Sequence, residues 1–104
     1  MIDQAVANPP RFISEAITPG GDYAAAPAFG REPPVPQRFV WRDESLVTSE
    51  VVRAWRSTNV DRGDVYLSRH WYELRLADGR LAVVYYDRKA RGTQRWWLYT
   101  LREP

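Results

Sequence analysis

Residues 66–101 read YLSRHWYELRLADGRLAVVYYDRKARGTQRWWLYTL, and the fold class is predicted chiefly from this stretch. Apolar and polar side chains alternate through residues 66–76, which is typical of a strand with one buried face. Asp78-Gly79 follows, and glycine between two β-type runs predicts a hairpin because it accepts positive φ. Residues 81–86 are apolar on both faces, as expected of a central strand, and residues 95–101 form the next run. We therefore expect three sequential antiparallel strands, a meander.

Three stretches nearer the N-terminus add to this sheet. Residues 11–18 and 38–42 are short runs rich in β-branched and aromatic side chains, and both predict strands. Residues 46–58 are ambiguous, because their large apolar side chains recur every fourth position, as on a helix, yet also share the parity of one strand face. Their Val, Thr and Trp content favours a strand, bulged or regular. The predicted fold class is all-β, with five or six antiparallel strands in a meander that forms a strongly curved sheet or partial barrel.

The N-terminal third has a different composition. Residues 19–36, PGGDYAAAPAFGREPPVP, hold five Pro and three Gly. Proline lacks a backbone donor and glycine is entropically costly to order, so a long irregular segment is predicted there. We divide the chain into residues 1–36, with the first strand and this proline-rich excursion, and residues 37–104, the antiparallel β domain. Tyr23 and Phe29 could dock back onto that domain.

Composition excludes several classes of function. The chain has 104 residues, the size of one domain, with no Cys and a single His, His70. Disulfides, thiolate nucleophiles and zinc sites built on Cys or several His are therefore excluded. No apolar run approaches the roughly 18–20 residues that span a bilayer. The N-terminus also lacks the basic and apolar regions of a secretory signal. We expect a cytoplasmic protein with no cofactor and no membrane contact.

Charge is mild and unevenly distributed. Fifteen basic and 13 acidic residues give a formal net charge of +2. Residues 1–36 carry two basic and four acidic side chains, a net of −2, whereas residues 37–104 carry 13 and nine, a net of +4. A weak positive field therefore belongs to the β domain.

The candidate contact surface combines arginine with tryptophan. Consecutive residues of a strand face opposite sides, so one of the adjacent Trp96 and Trp97 must lie off the main core. If Tyr72 points inward, Trp71 points outward and could lie beside Trp96 across the sheet. Guanidinium groups beside exposed rings suit single-stranded nucleic acid, whose phosphates meet the charge and whose bases stack. The residues predicted to contact nucleic acid or a protein partner are Arg69, Trp71, Arg88, Lys89, Arg91, Arg95 and Trp96.

Two plainer interpretations of that surface stay open. The basic residues after Asp87 also suit a solvated hairpin loop that blunts a sheet edge. Residues 1–36 could wrap back and bury the outward tryptophans, whereas an uncovered aromatic patch would mark an interface.

No complete catalytic or metal-binding set is recognisable. His70 could serve as a general base, but Ser68, two residues away on the same strand face, makes an unreliable partner and no orienting acid is evident. The acidic residues Asp43-Glu44 and those at 61–64 match no calcium loop and are explained by turn chemistry. Gly20-Gly21 is not followed by the lysine and helix start of a phosphate-binding loop. We expect no enzyme activity.

Two stretches, RFISEAI at 11–17 and WRDESLVTSEVVRAWR at 41–56, resemble a family of uncharacterised small bacterial proteins. The pattern of that family is R-F-I-S-E-P-I, then F-x-W-R-G-x-x-Y-x-V-x-x-V-L-x-x-W, then a strand pair ending in R-W-x-L. Positions that match beyond the first stretch are Phe39, Trp41, Arg42, Val51, Val52, Trp55, Tyr85, Asp87, Arg88, Arg95, Trp96 and Leu98. Asp43 replaces the turn glycine of the family, so we expect a different turn after Trp41.

A similar domain is found at the C-terminus of Y-family-like DNA polymerase accessory proteins that act in translesion synthesis. The resemblance therefore implies an association with DNA damage tolerance. We expect a non-catalytic accessory module that binds single-stranded nucleic acid or a repair-polymerase protein through its Arg/Trp surface. The alternative is a structural domain that docks a protein or a second copy of itself without touching nucleic acid. A hydrolase centred on His70 is the third hypothesis.

Overall fold

The fold is an antiparallel barrel of six strands. A computed structural model describes residues 9–23, 33–56, 69–88 and 94–104. The strands are β1 (Arg11–Tyr23), β2 (Pro36–Trp41), β3 (Glu44–Arg56), β4 (Arg69–Leu76), β5 (Leu81–Asp87) and β6 (Trp96–Arg102). Each strand pairs with the next, and β1 also pairs with β6, so that the predicted meander is confirmed and closes fully. The described ranges contain no helix, and thus none there that is long and apolar enough to cross a bilayer.

The ambiguous segment 46–58 is a strand as far as Arg56, where its description ends. Its pairing with β4 shifts register twice, between Thr48 and Glu50 and between Val51 and Arg53. A bulge inserts one residue and reverses which parity faces inward. The inward side chains therefore recur at intervals of two, then three, then three. The fourfold recurrence that suggested a helix does not mark one face, because Val51 lies against the core whereas Val47 is exposed and Trp55 lies on the outer face.

Strand β1 is longer than the predicted 11–18, because it continues through Tyr23. Its first half pairs with β6 and its second half, from Thr18 onward, pairs with β2. Pro19 thus lies beyond the last residue that pairs with β6, where the strand has a paired neighbour on one side only. Proline is tolerated at such positions because its missing donor is not needed there.

Two short turns set the register of the hairpins. Arg42 and Asp43 join β2 to β3 with φ of 49° and 64°, the left-handed pair of a type I′ turn. In the β4–β5 hairpin, the Gly79 amide donates to the Leu76 carbonyl at 2.9 Å and Gly79 has a φ of 96°. The hairpin predicted at Asp78-Gly79 is therefore confirmed.

Adjacent indoles in β6 point to opposite sides of the barrel wall, as the period of a strand requires. Trp96 is 5% exposed and lies among the rings of Phe39, Tyr72 and Tyr86, at centroid distances of 5.3, 5.7 and 5.1 Å. Trp97 lies on the outer surface. The prediction that Trp96 belongs to the contact surface is thus corrected, because Ile17 on β1 and Tyr86 on β5 pair with it as inward neighbours.

One end of the barrel is covered by the chain that leads into β2. Val35 is fully buried, and the Tyr72 hydroxyl donates to the Pro33 carbonyl at 2.7 Å. The Thr48 hydroxyl donates to the Pro36 carbonyl at 3.3 Å. The end of the proline-rich segment therefore packs on the core. Docking by the Tyr23 and Phe29 side chains falls outside the described residues.

Candidate nucleic-acid interface

Four aromatic side chains lie in register on the outer face of the barrel, one from each of four adjacent strands. Direct pairs join β3 to β4, β4 to β5 and β5 to β6, which places the four residues in one line across the strands. Neighbouring strands are about 4.8 Å apart, so such a line brings ring beside ring. The members of this aromatic row are Trp55, Trp71, Tyr85 and Trp97.

The rings of the aromatic row contact one another along its whole length. Trp55 and Trp71 are nearly parallel, at 9° with centroids 6.2 Å apart. Trp71 and Tyr85 follow at 4.7 Å and 43°, and Tyr85 and Trp97 at 5.5 Å and 9°. Aromatic pairs of this kind contribute about 0.5–1.5 kcal/mol each beyond their buried area. The four rings therefore form one continuous aromatic cluster on the outer face, in which Tyr85 is 8% exposed.

A bulge in β6 adds a fifth ring beside the row. Val83 pairs with Thr100 and Val84 with Leu98, so Tyr99 is the extra residue. Its side chain is 37% exposed and meets Trp71 edge-on, at 5.0 Å and 83°. Bulges often re-aim a side chain next to functional sites, and this one turns Thr100 outward opposite Val83. The extra residue is also why Leu98 and Leu101, of opposite parity, both face the core.

Two arginines lie against rings of the row. The Arg53 guanidinium lies over Trp55 at 4.5 Å, and its Nε is 3.2 Å from the Glu73 carboxylate. The Arg69 guanidinium lies over Tyr85 at 4.6 Å and forms a longer ion pair with a carboxylate on β5, at 3.8 Å. A cation over an aromatic face is attracted by the negative charge of the ring centre. Each arginine is thus held at the surface of the row.

The Tyr85 hydroxyl remains neutral at physiological pH. Burial raises the pKa of the Tyr85 phenol above its usual range, and the nearby Arg69 lowers it by less. Hydrogen bonding and stacking by this ring therefore do not change with pH around neutrality.

Of the predicted site residues, Arg69 and Trp71 lie at the aromatic row, and Arg88 lies exposed at the end of β5. Arg95 donates to the Arg88 carbonyl at 2.9 Å and so holds the ends of β5 and β6 together. Lys89 and Arg91 fall outside the described residues.

Five residues of the row and its flank were missed by sequence reasoning as contact residues. They are Arg53, Trp55, Tyr85, Trp97 and Tyr99. Trp96 and Trp97 are interchangeable by parity alone, and only the pairing of β6 with its neighbours decides between them. Trp55 could not be placed because the two bulges of β3 hide its register from the sequence pattern.

The single histidine faces the barrel interior. His70 is 3% exposed and pairs with Tyr86 across the β4–β5 ladder. Ser68 and the acidic residues at 61–64 fall outside the described residues. Within the part of the chain that the structure describes, no three acidic or histidine side chains come together as metal ligands.

A second polar cluster lies where β1 meets the β2–β3 turn. The Glu15 carboxylate accepts hydrogen bonds from Arg42 Nε at 3.0 Å and from the Trp41 indole at 2.9 Å, and it also forms an ion pair with Arg42 Nη2. These bonds lower the pKa of the Glu15 carboxyl, and the bond from Arg42 has the largest effect. Arg42 also lies over the Trp41 ring at 4.9 Å. The cluster joins β1 to the β2–β3 turn, in which Arg42 has a φ of 49°.

Comparison with known proteins gives a family and no function. No curated protein matches the chain, and no solved structure does either. One family model, described as a domain of unknown function (DUF6504), matches residues 7–103. That match spans all six strands of the barrel, and the chain therefore belongs to the DUF6504 family.

Proposed function

We propose that this protein is a non-catalytic accessory module that binds single-stranded nucleic acid on the aromatic row. The observation that carries the proposal is the unbroken contact of four rings in register, with guanidinium groups lying over Trp55 and Tyr85. Bases stack on aromatic side chains without regard to sequence, because every base has a π-face. Arginine adds cation–π contacts and pairs with phosphate.

Basic residues beside the row support the same function. Strand β5 ends at Asp87, two residues beyond Tyr85 in the row. Residues 88–95 then carry four basic and no acidic side chains. A positively charged groove or rim that follows the backbone is the usual companion of a stacking platform. A nucleic-acid strand laid along the rings would thus pass near the exposed Arg88 at the end of β5.

The resemblance to modules of translesion polymerase accessory proteins supports a role in DNA damage tolerance in the bacterial cytoplasm. Single-stranded DNA is the substrate that such a role supplies. A repair-polymerase protein is the second partner consistent with this context. No cofactor and no bond-breaking step are required, because binding alone would position the strand.

A second candidate function is protein docking or self-association through the same face. The observation that favours it is charge balance, since Arg53 pairs with Glu73, Arg69 with Asp87, and a third ion pair joins β3 to β4. A nearly neutral surface rich in Trp, Tyr and Arg is typical of protein interfaces. Sedimentation at high concentration tests self-association, and a monomer there would remove the dimer.

A salt titration of single-stranded DNA binding tests the first proposal. We would measure the anisotropy of a fluorescein-labelled oligothymidylate of about 12 nucleotides, within the range of known site sizes. For two or three phosphate contacts, the logarithm of the association constant should fall with the logarithm of salt concentration with a slope of about −1.4 to −2.

Matched variants separate charge from stacking. Arg53→Ala should make the slope shallower by about 0.7, the value for one phosphate, whereas Arg38→Ala on β2, which contributes no ring to the row, should leave it unchanged. Trp97→Ala should weaken binding about tenfold with little change in slope, since stacking releases no counterions. Absence of binding at low salt, or equal effects of Arg53→Ala and Arg38→Ala, would refute the proposal.

A further inference from the structure

An open depression lies beside the aromatic row. Its volume is about 330 Å³, and its lining consists of Arg53, Trp55, Trp71, Val83, Tyr99 and Thr100. Ligand pockets range from about 300 to 1,000 Å³, so this one suits a single planar ring system better than an extended chain. It lies on the outer face, separate from the barrel core.

The β6 bulge brings Thr100 into the lining of the depression. Trp71 contacts Trp55 on its β3 side and Tyr99 on its β6 side, so that Trp71 lies between them. Trp97 and Tyr99 are two residues apart on the strand, so both rings point outward. The bulge then turns Thr100 outward opposite Val83, so that Tyr99 and Thr100 together form the β6 side of the depression.

Polar groups stand around the apolar lining. Among the described residues, the hydrogen bond of Arg53 engages Nε alone, and the Arg53 side chain is 66% exposed. The hydroxyls of Tyr99 and Thr100 can each donate and accept hydrogen bonds. One rim therefore carries the Arg53 guanidinium, whose Nε is paired with Glu73, and the other carries hydroxyls. A nucleotide offers the complementary set, with an anionic phosphate, a flat ring and hydrogen-bonding ring edges.

We infer that the depression is a subsite for one unstacked base of a single strand, with the adjoining phosphate toward Arg53. The inference rests on the proposed function and adds to it a defined position, at which one base leaves the series of bases that stack along the row. Tyr99 supplies the ring contact and Thr100 and Tyr99 supply hydroxyls to the edge of the base.

Binding of the same labelled oligothymidylate to three variants tests the subsite. Tyr99→Ala should weaken binding about tenfold, since one base–ring contact contributes roughly 1–3 kcal/mol, which is about 5- to 150-fold. Tyr99→Phe should stay within about threefold, because it keeps the ring and loses one hydroxyl. Phe12→Ala is the matched control: Phe12 is 65% exposed and touches Tyr99 at 5.2 Å, but it does not line the depression.

The outcomes distinguish the subsite from the proposed function. If the oligonucleotide binds and Tyr99→Ala alone of the three weakens it, the subsite is supported. If binding is lost in Trp97→Ala but kept in Tyr99→Ala, the subsite is overturned, whereas binding on the aromatic row is still supported. If the wild-type chain binds no oligonucleotide, both are overturned. The urea midpoint of Tyr99→Ala shows whether it is folded; were it not, Tyr99→Leu takes its place with the same expected weakening.

Discussion

Substitution of Trp96 or Trp97 by Ala should lower the free energy of unfolding by very different amounts, although the two residues are identical in type and adjacent in sequence. Trp96 is 5% exposed and touches three other rings, whereas Trp97 is half-buried and touches Tyr85 at 5.5 Å. Burial of a large aromatic side chain removes about 150–250 Å² from water, which at about 25 cal/mol per Å² is about 4–6 kcal/mol.

Measured substitutions of buried Trp by Ala cost about 3–5 kcal/mol, and this is the loss that we expect for Trp96→Ala. Trp97→Ala should cost about 1–2 kcal/mol, for one ring pair and a partly exposed surface. Domains of this size have a free energy of unfolding of about 5–15 kcal/mol, so the first substitution removes a large part of it.

Urea unfolding followed by far-ultraviolet circular dichroism measures both costs. The transitions should be two-state, and the slope m should match the wild type, so that the shift in midpoint reports stability alone. Trp41→Ala, which removes another buried indole, serves as a second core reference. Equal losses for the two β6 variants, or a larger loss for Trp97→Ala, would refute the assignment of Trp96 to the interior.

Three further substitutions probe the turn, the core hydrogen bond and the polar cluster. Asp43→Gly should stabilise the protein by about 0.5–1 kcal/mol because Asp43 has a φ of 64°. Ser45→Gly, in ordinary strand conformation, should destabilise it by a similar amount. A loss of stability in Asp43→Gly would contradict the turn geometry. Tyr72→Phe should lower the free energy of unfolding by about 1–2 kcal/mol, because the Pro33 carbonyl loses its hydrogen-bond donor. Tyr99→Phe, at an exposed ring, should change it very little. Equal urea midpoints for the two variants would contradict this difference. Folding lowers the pKa of Glu15, so the stabilisation by its carboxylate is complete above the unfolded pKa of about 4.3 and is lost as pH falls through the folded pKa. Glu15→Gln should therefore flatten the fall of the urea midpoint between about pH 5 and 3. An unchanged pH profile would contradict this role of Glu15.

The fold was predictable where side chains alternate without interruption. Residues 69–76 keep a strict period of two, and the inward positions of Tyr72 and Leu74 follow directly from it. The Asp-Gly hairpin was also predictable, because its glycine must adopt positive φ. Closure of the sheet into a barrel was not, since it depends on β1 changing partner from β6 to β2 at Thr18, a long-range event with no local signal.

The candidate site was predictable only in part, and the bulges explain why. The presence of one outward indole in β6 followed from parity, but its identity did not. Tyr99 shares its parity with both Trp97 and Leu101, yet the bulge leaves Tyr99 outward and turns Leu101 inward. The alignment of Trp55 with Trp71 depends on two register shifts in β3 that a pattern of residue types does not reveal.

Three indoles lie on the outer face, which we propose binds nucleic acid, and two lie inside the barrel. Each of the five tryptophans gives one indole N–H signal in a ¹H–¹⁵N spectrum. On addition of oligothymidylate, we expect the signals of Trp55, Trp71 and Trp97 to shift, while those of the buried Trp41 and Trp96 stay in place. Shifts confined to Trp41 and Trp96, or no shift at any indole at saturating oligonucleotide, would contradict the account.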